Sequence, residues 1–122
     1  MIERLAELVN GDESLVRRGR FLSLDFLIEV GERPFHVSVR EGRIAAVDEG
    51  PRLMRSWRFA IRAGEAAWAA FWQPLPAPGY HDIFAMTKRG EATVEGDLQP
   101  LMANLRYIKE VIEAPRRLAR SA

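Results

Sequence analysis

The chain has 122 residues, 48% of them hydrophobic, and its 18 Lys+Arg stand against 17 Asp+Glu for a formal charge of +1. That length suits one domain with a real core, and the charge balance argues against a nucleic-acid binder, whose domain is normally basic. The absence of Cys removes disulfides, thiolate metal sites and cysteine nucleophiles together, no apolar run approaches the ~18 residues that span a bilayer, and residues 1–10 lack the apolar stretch of a signal peptide, so a cytoplasmic protein is expected.

Ile2, Leu5, Leu8 and Val9 recur at helical spacing and predict a short amphipathic helix over 2–9. Asn10-Gly11-Asp12 ends it, and Asp12 is placed to cap a second turn carrying Leu15 and Val16. From 21 to 30 the period becomes two. Leu22, Leu24, Phe26, Ile28 and Val30 share one face, and Ser23, Asp25 and Glu29 the other, which Phe21 and Leu27 make less than cleanly polar. Phe35, Val37 and Val39 alternate with His36, Ser38 and Arg40 in a second strand that puts His36 on the solvent face. A third strand runs over 43–48. A fourth sets Leu53, Trp57, Phe59 and Ile61 against Arg52, Ser56, Arg58 and Arg62, with Arg55 interrupting the apolar side. Short connections between such strands predict an antiparallel meander.

After Gly64 the period lengthens again. Trp68, Phe71 and Trp72 share one face of an Ala-rich helix, and residues 73–79 form a stiff Pro-rich linker. Tyr80, Ile83, Phe84 and Thr87 predict a short helix, with Asp82 a candidate cap, and 91–95 a fifth strand. Asp97 is a good N-cap for a last helix whose stripe is Leu98, Leu101, Met102, Leu105, Ile108 and Ile112. Pro115 stops it; 113–122 read as a tail outside the core, in which 116–122 fray and Arg116, Arg117 and Arg120 are solvated charges.

This order of elements resembles the sterol carrier protein 2 family. The resemblance is carried by Val39-Arg40-Glu41-Gly42-Arg43-Ile44 as a hairpin, Gly64-Glu65-Ala66-Ala67-Trp68 as a helix start, and Gly90-Glu91-Ala92-Thr93-Val94-Glu95-Gly96-Asp97 as strand, turn and helix start. It covers about residues 20–112. The resemblance implies an α+β fold, a five-stranded and mostly antiparallel sheet covered on one face by helices, with an apolar cavity between them. It implies one lipid-binding domain over 1–122 that binds or transfers a lipid, fatty acyl or sterol-like molecule without catalysis and without a cofactor. The last helix closes the cavity in that likeness, so residues 98–112 are expected to gate it.

The residues assigned to ligand binding are Trp57, Phe59, Trp68, Phe71, Trp72, Tyr80, Phe84, Met86, Leu101, Met102, Leu105 and Ile108. A helical aromatic stripe faces a packed core as readily as a cavity. Two features favour a cavity: three Trp are awkward to pack dry, because each indole N–H needs a partner, and unbranched Met54, Met86 and Met102 suit a wall that adapts to apolar ligands. Tyr80, Gln73 and Asn104 are candidates for the few polar groups that fix a ligand.

Catalytic signals are thin. His81 and Asp82 are adjacent, so they do not face each other on a helix. Ser14, Ser23, Ser38 and Ser56 lack a nucleophile-elbow context, two His without Cys make structural zinc improbable, and no phosphate-cradling Gly motif occurs. No stable membrane insertion is expected, and a homodimer is left open. Two other classes compete. One is a small enzyme on a cone-shaped α+β fold, with Asp25 or Asp82 as its base. The other is an interaction module whose pocket is collapsed.

Overall fold

The computed structural model describes residues 2–50 and 56–121, with side chains to 118. Alternation builds the sheet. Strands β1 (Leu24–Val30), β2 (Arg33–Arg40), β3 (Arg43–Glu49), β4 (Phe59–Ala63) and β5 (Ala92–Gly96) lie in the order β3-β2-β1-β4-β5. The β1–β2, β2–β3 and β4–β5 pairs are antiparallel and β1–β4 is parallel. The expected meander therefore holds for three strands only. The chain leaves the sheet at the β3 edge and re-enters beyond β2 and β1. Strand alternation is the same in both pairings, so only the length of the connection distinguishes them, and β4 begins at Phe59, later than its sequence pattern indicated. Arg52, Leu53, Met54 and Arg55 lie outside the described residues.

Register puts Leu24, Phe26 and Ile28 of β1 beside Val39, Val37 and Phe35 of β2, and Ile28 beside Ile61 of β4. These side chains form one buried face. Helices cover it. A 3-10 turn, Ile2–Arg4, leads into α1 (Leu5–Asn10), followed by α2 (Glu13–Arg18). Ile2, Leu5 and Val9 go inward at the expected spacing, and the Asn10 amide pairs with both the N–H and the C=O of Ile44 (2.8 and 3.0 Å), fastening α1 to β3. Asp12 caps α2 by accepting from the Leu15 N–H at 3.1 Å.

The second helical group is α3 (Glu65–Phe71), α4 (Ile83–Lys88), α5 (Gln99–Ala103), α6 (Leu105–Glu113) and α7 (Arg116–Ser121). The single last helix expected from 98 onward is broken at Asn104, whose backbone leaves helical space at φ −125° and ψ 32°. Its amide bonds back to the Pro100 carbonyl at 3.0 Å, a local competitor to helix continuation. The break redirects the apolar stripe. Leu101, Ile108 and Ile112 are buried, whereas Leu98 and Met102 face water at 39% and 56% exposure.

Two further expectations change. His36 and Ser38 are buried, not solvent-facing. They share the second sheet face with Leu27 and Ala60, which are also buried, so that face is partly apolar; Leu27 was its sequence signal. The tail does not fray at its start. Arg116 donates to the carbonyls of Phe71 (2.6 Å), Tyr80 (3.2 Å) and His81 (3.2 Å), tying α7 to the far end of α3, and Arg117 reaches Asp12 (3.2 Å) and the Leu8 carbonyl (3.1 Å). Of the arginines on the fourth strand pattern, Arg62 meets Glu29 across the strands at 2.5 Å and Glu95 at 2.6 Å, and Arg58 meets Asp97 at 3.4 Å.

Candidate functional site: an apolar groove beside helix α3

Helix α3 sits where it does because Gly64, extended at ψ 164°, turns the chain out of β4 into an Ala-rich run. Trp68, Phe71 and Trp72 then point inward. The indoles of Trp68 and Trp72 stack at 4.9 Å, with Phe71 edge-on to Trp68 at 5.4 Å. Each indole N–H is satisfied by a backbone carbonyl: Trp68 donates to Glu29 and Trp72 to Ile112, both at 2.9 Å. The difficulty of packing tryptophan dry is thus solved by carbonyls at the end of β1 and the end of α6. Deeper in, Phe26 and Phe59 stack at 5.1 Å. Phe59, Phe71, Met86, Leu101 and Ile108 are all in the core with almost no exposure.

An apolar recess adjoins this core. A groove of about 310 Å³ is lined by Ile2, Val30, Phe35, Trp68, Ala69 and Trp72, with Glu3, Arg33, Glu65 and Gln73 at its rim. Arg33 is held there by Glu49, through two bonds of 2.9 Å, and by Glu3 at 3.2 Å. These ion pairs raise the Arg33 pKa and lower that of Glu49. Gln73 also lines a second shallow recess of about 440 Å³ with Ala70, Pro74, Leu75, Ala77 and Tyr80, so apolar surface continues along the outer side of α3. The chemistry is that of a surface for apolar groups with an orienting polar edge. Among the described residues no group of three or more His, Asp or Glu is placed to hold a metal ion.

Of the residues singled out from sequence, Trp68 and Trp72 form the inner wall of the groove, and Gln73 its rim. Tyr80 belongs to the neighbouring recess, where its hydroxyl donates to Glu91 at 2.9 Å. Phe84 and Leu105 are half-buried against the core. Trp57 is half-buried under Arg62, 5.7 Å from its ring, in a different recess with Ser23, Arg40 and Arg58. Met102 is exposed, and Asn104 lies near Arg18 and Arg106. The opposite wall, Ile2, Val30 and Phe35, was missed. Its signal was the apolar pair on either side of the Gly31-Glu32 turn, Val30 and Phe35, which register places diagonally on one sheet face, Val30 opposite Arg33 and Phe35 opposite Ile28.

The carboxylates weighed as bases are committed elsewhere. Asp25 pairs with Arg40 at 2.9 Å. Asp82 caps α4, accepting from the Phe84 N–H at 2.7 Å, and pairs with Lys109. Burial alone would raise its pKa, but Lys109 and the Phe84 N–H outweigh it and hold the carboxyl below its ordinary value. His81 is exposed.

No family model matches the chain, and no curated protein matches it. Its fold, however, is found in solved structures. Sterol carrier protein 2 aligns with a TM-score of 0.73 over 94% of this chain and 92% of that one, at 13% identity. A conserved hypothetical protein of Thermus thermophilus, described as possibly a sterol carrier protein, aligns at 0.69, over 97% and 85%, with 14% identity. The UbiJ-SCP2 ubiquinone synthesis protein aligns at 0.60, over 99% and 89%, with 18% identity. At these identities the likeness is one of fold, and the chain has the sterol carrier protein 2 fold.

Proposed function

We propose that the protein binds an apolar or amphipathic small molecule without chemical conversion, and that the groove beside α3 is where it binds. The observation that carries this reading is the groove's composition: six apolar or aromatic residues and four polar rim groups on a fold shared with a sterol carrier protein. About 310 Å³ is at the low end of small-molecule sites, enough for a ring system or part of an acyl or isoprenoid chain. A longer molecule would extend past Gln73 towards Leu75 and Tyr80. The ubiquinone synthesis protein among the structural neighbours makes polyprenyl quinones a class to test beside sterols and fatty acids. The non-catalytic part of the proposal is supported by the commitment of Asp25 and Asp82 to ion pairs.

A second reading, an interaction module with a collapsed pocket, draws on the stacking of Phe26 on Phe59 and of Trp68 on Trp72, which fills interior space with protein. Native mass spectrometry of the protein purified from its host, followed by solvent extraction, separates the two. A co-purifying apolar molecule is the expected result. A bare chain that also fails to take up sterol, fatty acid or quinone would favour the interaction module.

A further inference from the structure

A formal charge of +1 hides a separation of charge along the strands. β1, β3 and β4 begin, and β2 and β5 end, at the same end of the sheet. The opposite end, where the groove lies, carries Glu32, Glu49, Glu65 and Glu91 close to strand termini, against Arg33 and Arg89, which pair with Glu49 and Glu91. The first end carries arginines. Arg40 and Arg58 are paired there with Asp25 and Asp97, and Arg18 with Glu110. Arg17, Arg20 and Arg43 have no ion pair among the described residues, and the one exposed carboxylate set against them is Glu41 of the β2–β3 turn, so this end keeps a net positive charge.

The same end exposes apolar side chains. Asp97 N–H donates to the Arg58 carbonyl (2.7 Å) at the β4–β5 side, and the Tyr107 hydroxyl donates to the Gly42 carbonyl (2.6 Å) in the β2–β3 turn. Residues 98–106 therefore cross the end of the sheet, and their outward residues are Leu98 and Met102, 39% and 56% exposed. Phe21, 88% exposed, precedes β1 at this end, with the Arg20 guanidinium 4.5 Å over its ring. Its neighbour Leu22 is anchored, accepting from the Gly42 N–H at 3.1 Å, so Phe21 is held outward on a fixed turn.

We propose that this end of the sheet docks reversibly on an anionic bilayer surface, with Phe21, Leu98 and Met102 entering the headgroup boundary and Arg17, Arg20 and Arg43 facing lipid phosphates. Separate apolar side chains interleaved with arginines suit a bilayer, which accepts each one individually. A stable protein partner needs roughly 800 Å² of continuous surface on each side. Each arginine near such a surface strengthens partitioning about five-fold, so three opposed by Glu41 give roughly 25-fold on top of the apolar contacts, enough for reversible attachment. Docked this way, the protein keeps its α3 groove turned towards water.

The test is co-sedimentation of the full chain with vesicles of phosphatidylcholine alone and of phosphatidylcholine with phosphatidylglycerol. Sedimentation with the anionic vesicles only, weakened by salt, is expected. Arg43→Gln should weaken it about five-fold and Phe21→Ser about ten-fold, while Glu32→Gln at the opposite end leaves it unchanged. Both test positions are exposed, so the variants fold, which far-ultraviolet circular dichroism checks. Equal sedimentation with both vesicles, none with either, or variants that bind like the parent would overturn the proposal. So would size-exclusion chromatography in which Phe21→Ser dissociates a dimer, since a second copy would then cover this end.

Discussion

Replacing Trp72 with phenylalanine probes the joint on which the groove depends. Trp72 is 5% exposed and stacks on Trp68, and its indole N–H is the partner of the Ile112 carbonyl, 2.9 Å away in a buried setting. Trp72→Phe keeps an aromatic ring but deletes the donor, leaving a buried acceptor unsatisfied at a cost of about 1–3 kcal/mol. The smaller ring also leaves a void between α3 and α6, worth about another 1 kcal/mol. The total of about 2–4 kcal/mol is a large share of a typical domain stability of ~5–15 kcal/mol. Urea unfolding followed by far-ultraviolet circular dichroism should show the midpoint falling by about 1–2 M with an unchanged slope. A loss below about 0.5 kcal/mol, the range of surface substitutions, would refute the claim that this bond joins α3 to α6.

Other outcomes follow from the same geometry. Gly42→Ala should destabilise by several kcal/mol, because Gly42 has φ +82° and an added Cβ would lie 2.7 Å from the Gly19 carbonyl carbon; thermal unfolding reads this, and a near-neutral result would contradict the tight turn. Asp82→Asn should keep the cap on α4 but lose the ion pair with Lys109. Because the folded-state pKa of Asp82 lies below its ordinary 3.8, its contribution is complete above that value and is lost as pH falls through the folded one. The variant should therefore be less stable at neutral pH and show a flatter acid limb in pH-dependent unfolding; parallel curves for variant and parent would refute the pairing. Arg116→Ala should loosen α7 and the linker after α3, seen as faster amide exchange at Tyr80 and His81, and unchanged exchange there would show that the clamp is dispensable.

Much of the fold was legible because period and burial coincide. The alternation of Leu24, Phe26 and Ile28, the spacing of Ile2, Leu5 and Val9, and the caps at Asp12 and Asp82 all produced the elements they implied. What was not legible depends on long-range placement. Nothing local in Phe59 to Ala63 tells β4 to lie parallel to β1, and His36 is buried beside Leu27, a neighbour that only strand register supplies. The stripe through Met102 has helical spacing, yet the helix breaks at Asn104, and in the short α5 only Leu101 is buried while Met102 faces water. The groove was half legible: Trp68 and Trp72 stood out by size and spacing, whereas Ile2, Val30 and Phe35 are ordinary apolar residues that only the sheet's register and α1 bring to one place.

The central claim, that the α3 groove receives an apolar molecule, is tested most directly by titrating the parent and Ala69→Phe with a fluorescent fatty acid and a fluorescent sterol, read by anisotropy. Ala69 is an exposed groove residue, so phenylalanine fills the recess from its outer side and leaves the buried Trp68–Trp72 stack in place. The account predicts saturable binding of at least one ligand to the parent and its loss in a variant of unchanged unfolding midpoint. Equal binding by both proteins, or no binding by the parent, would contradict it.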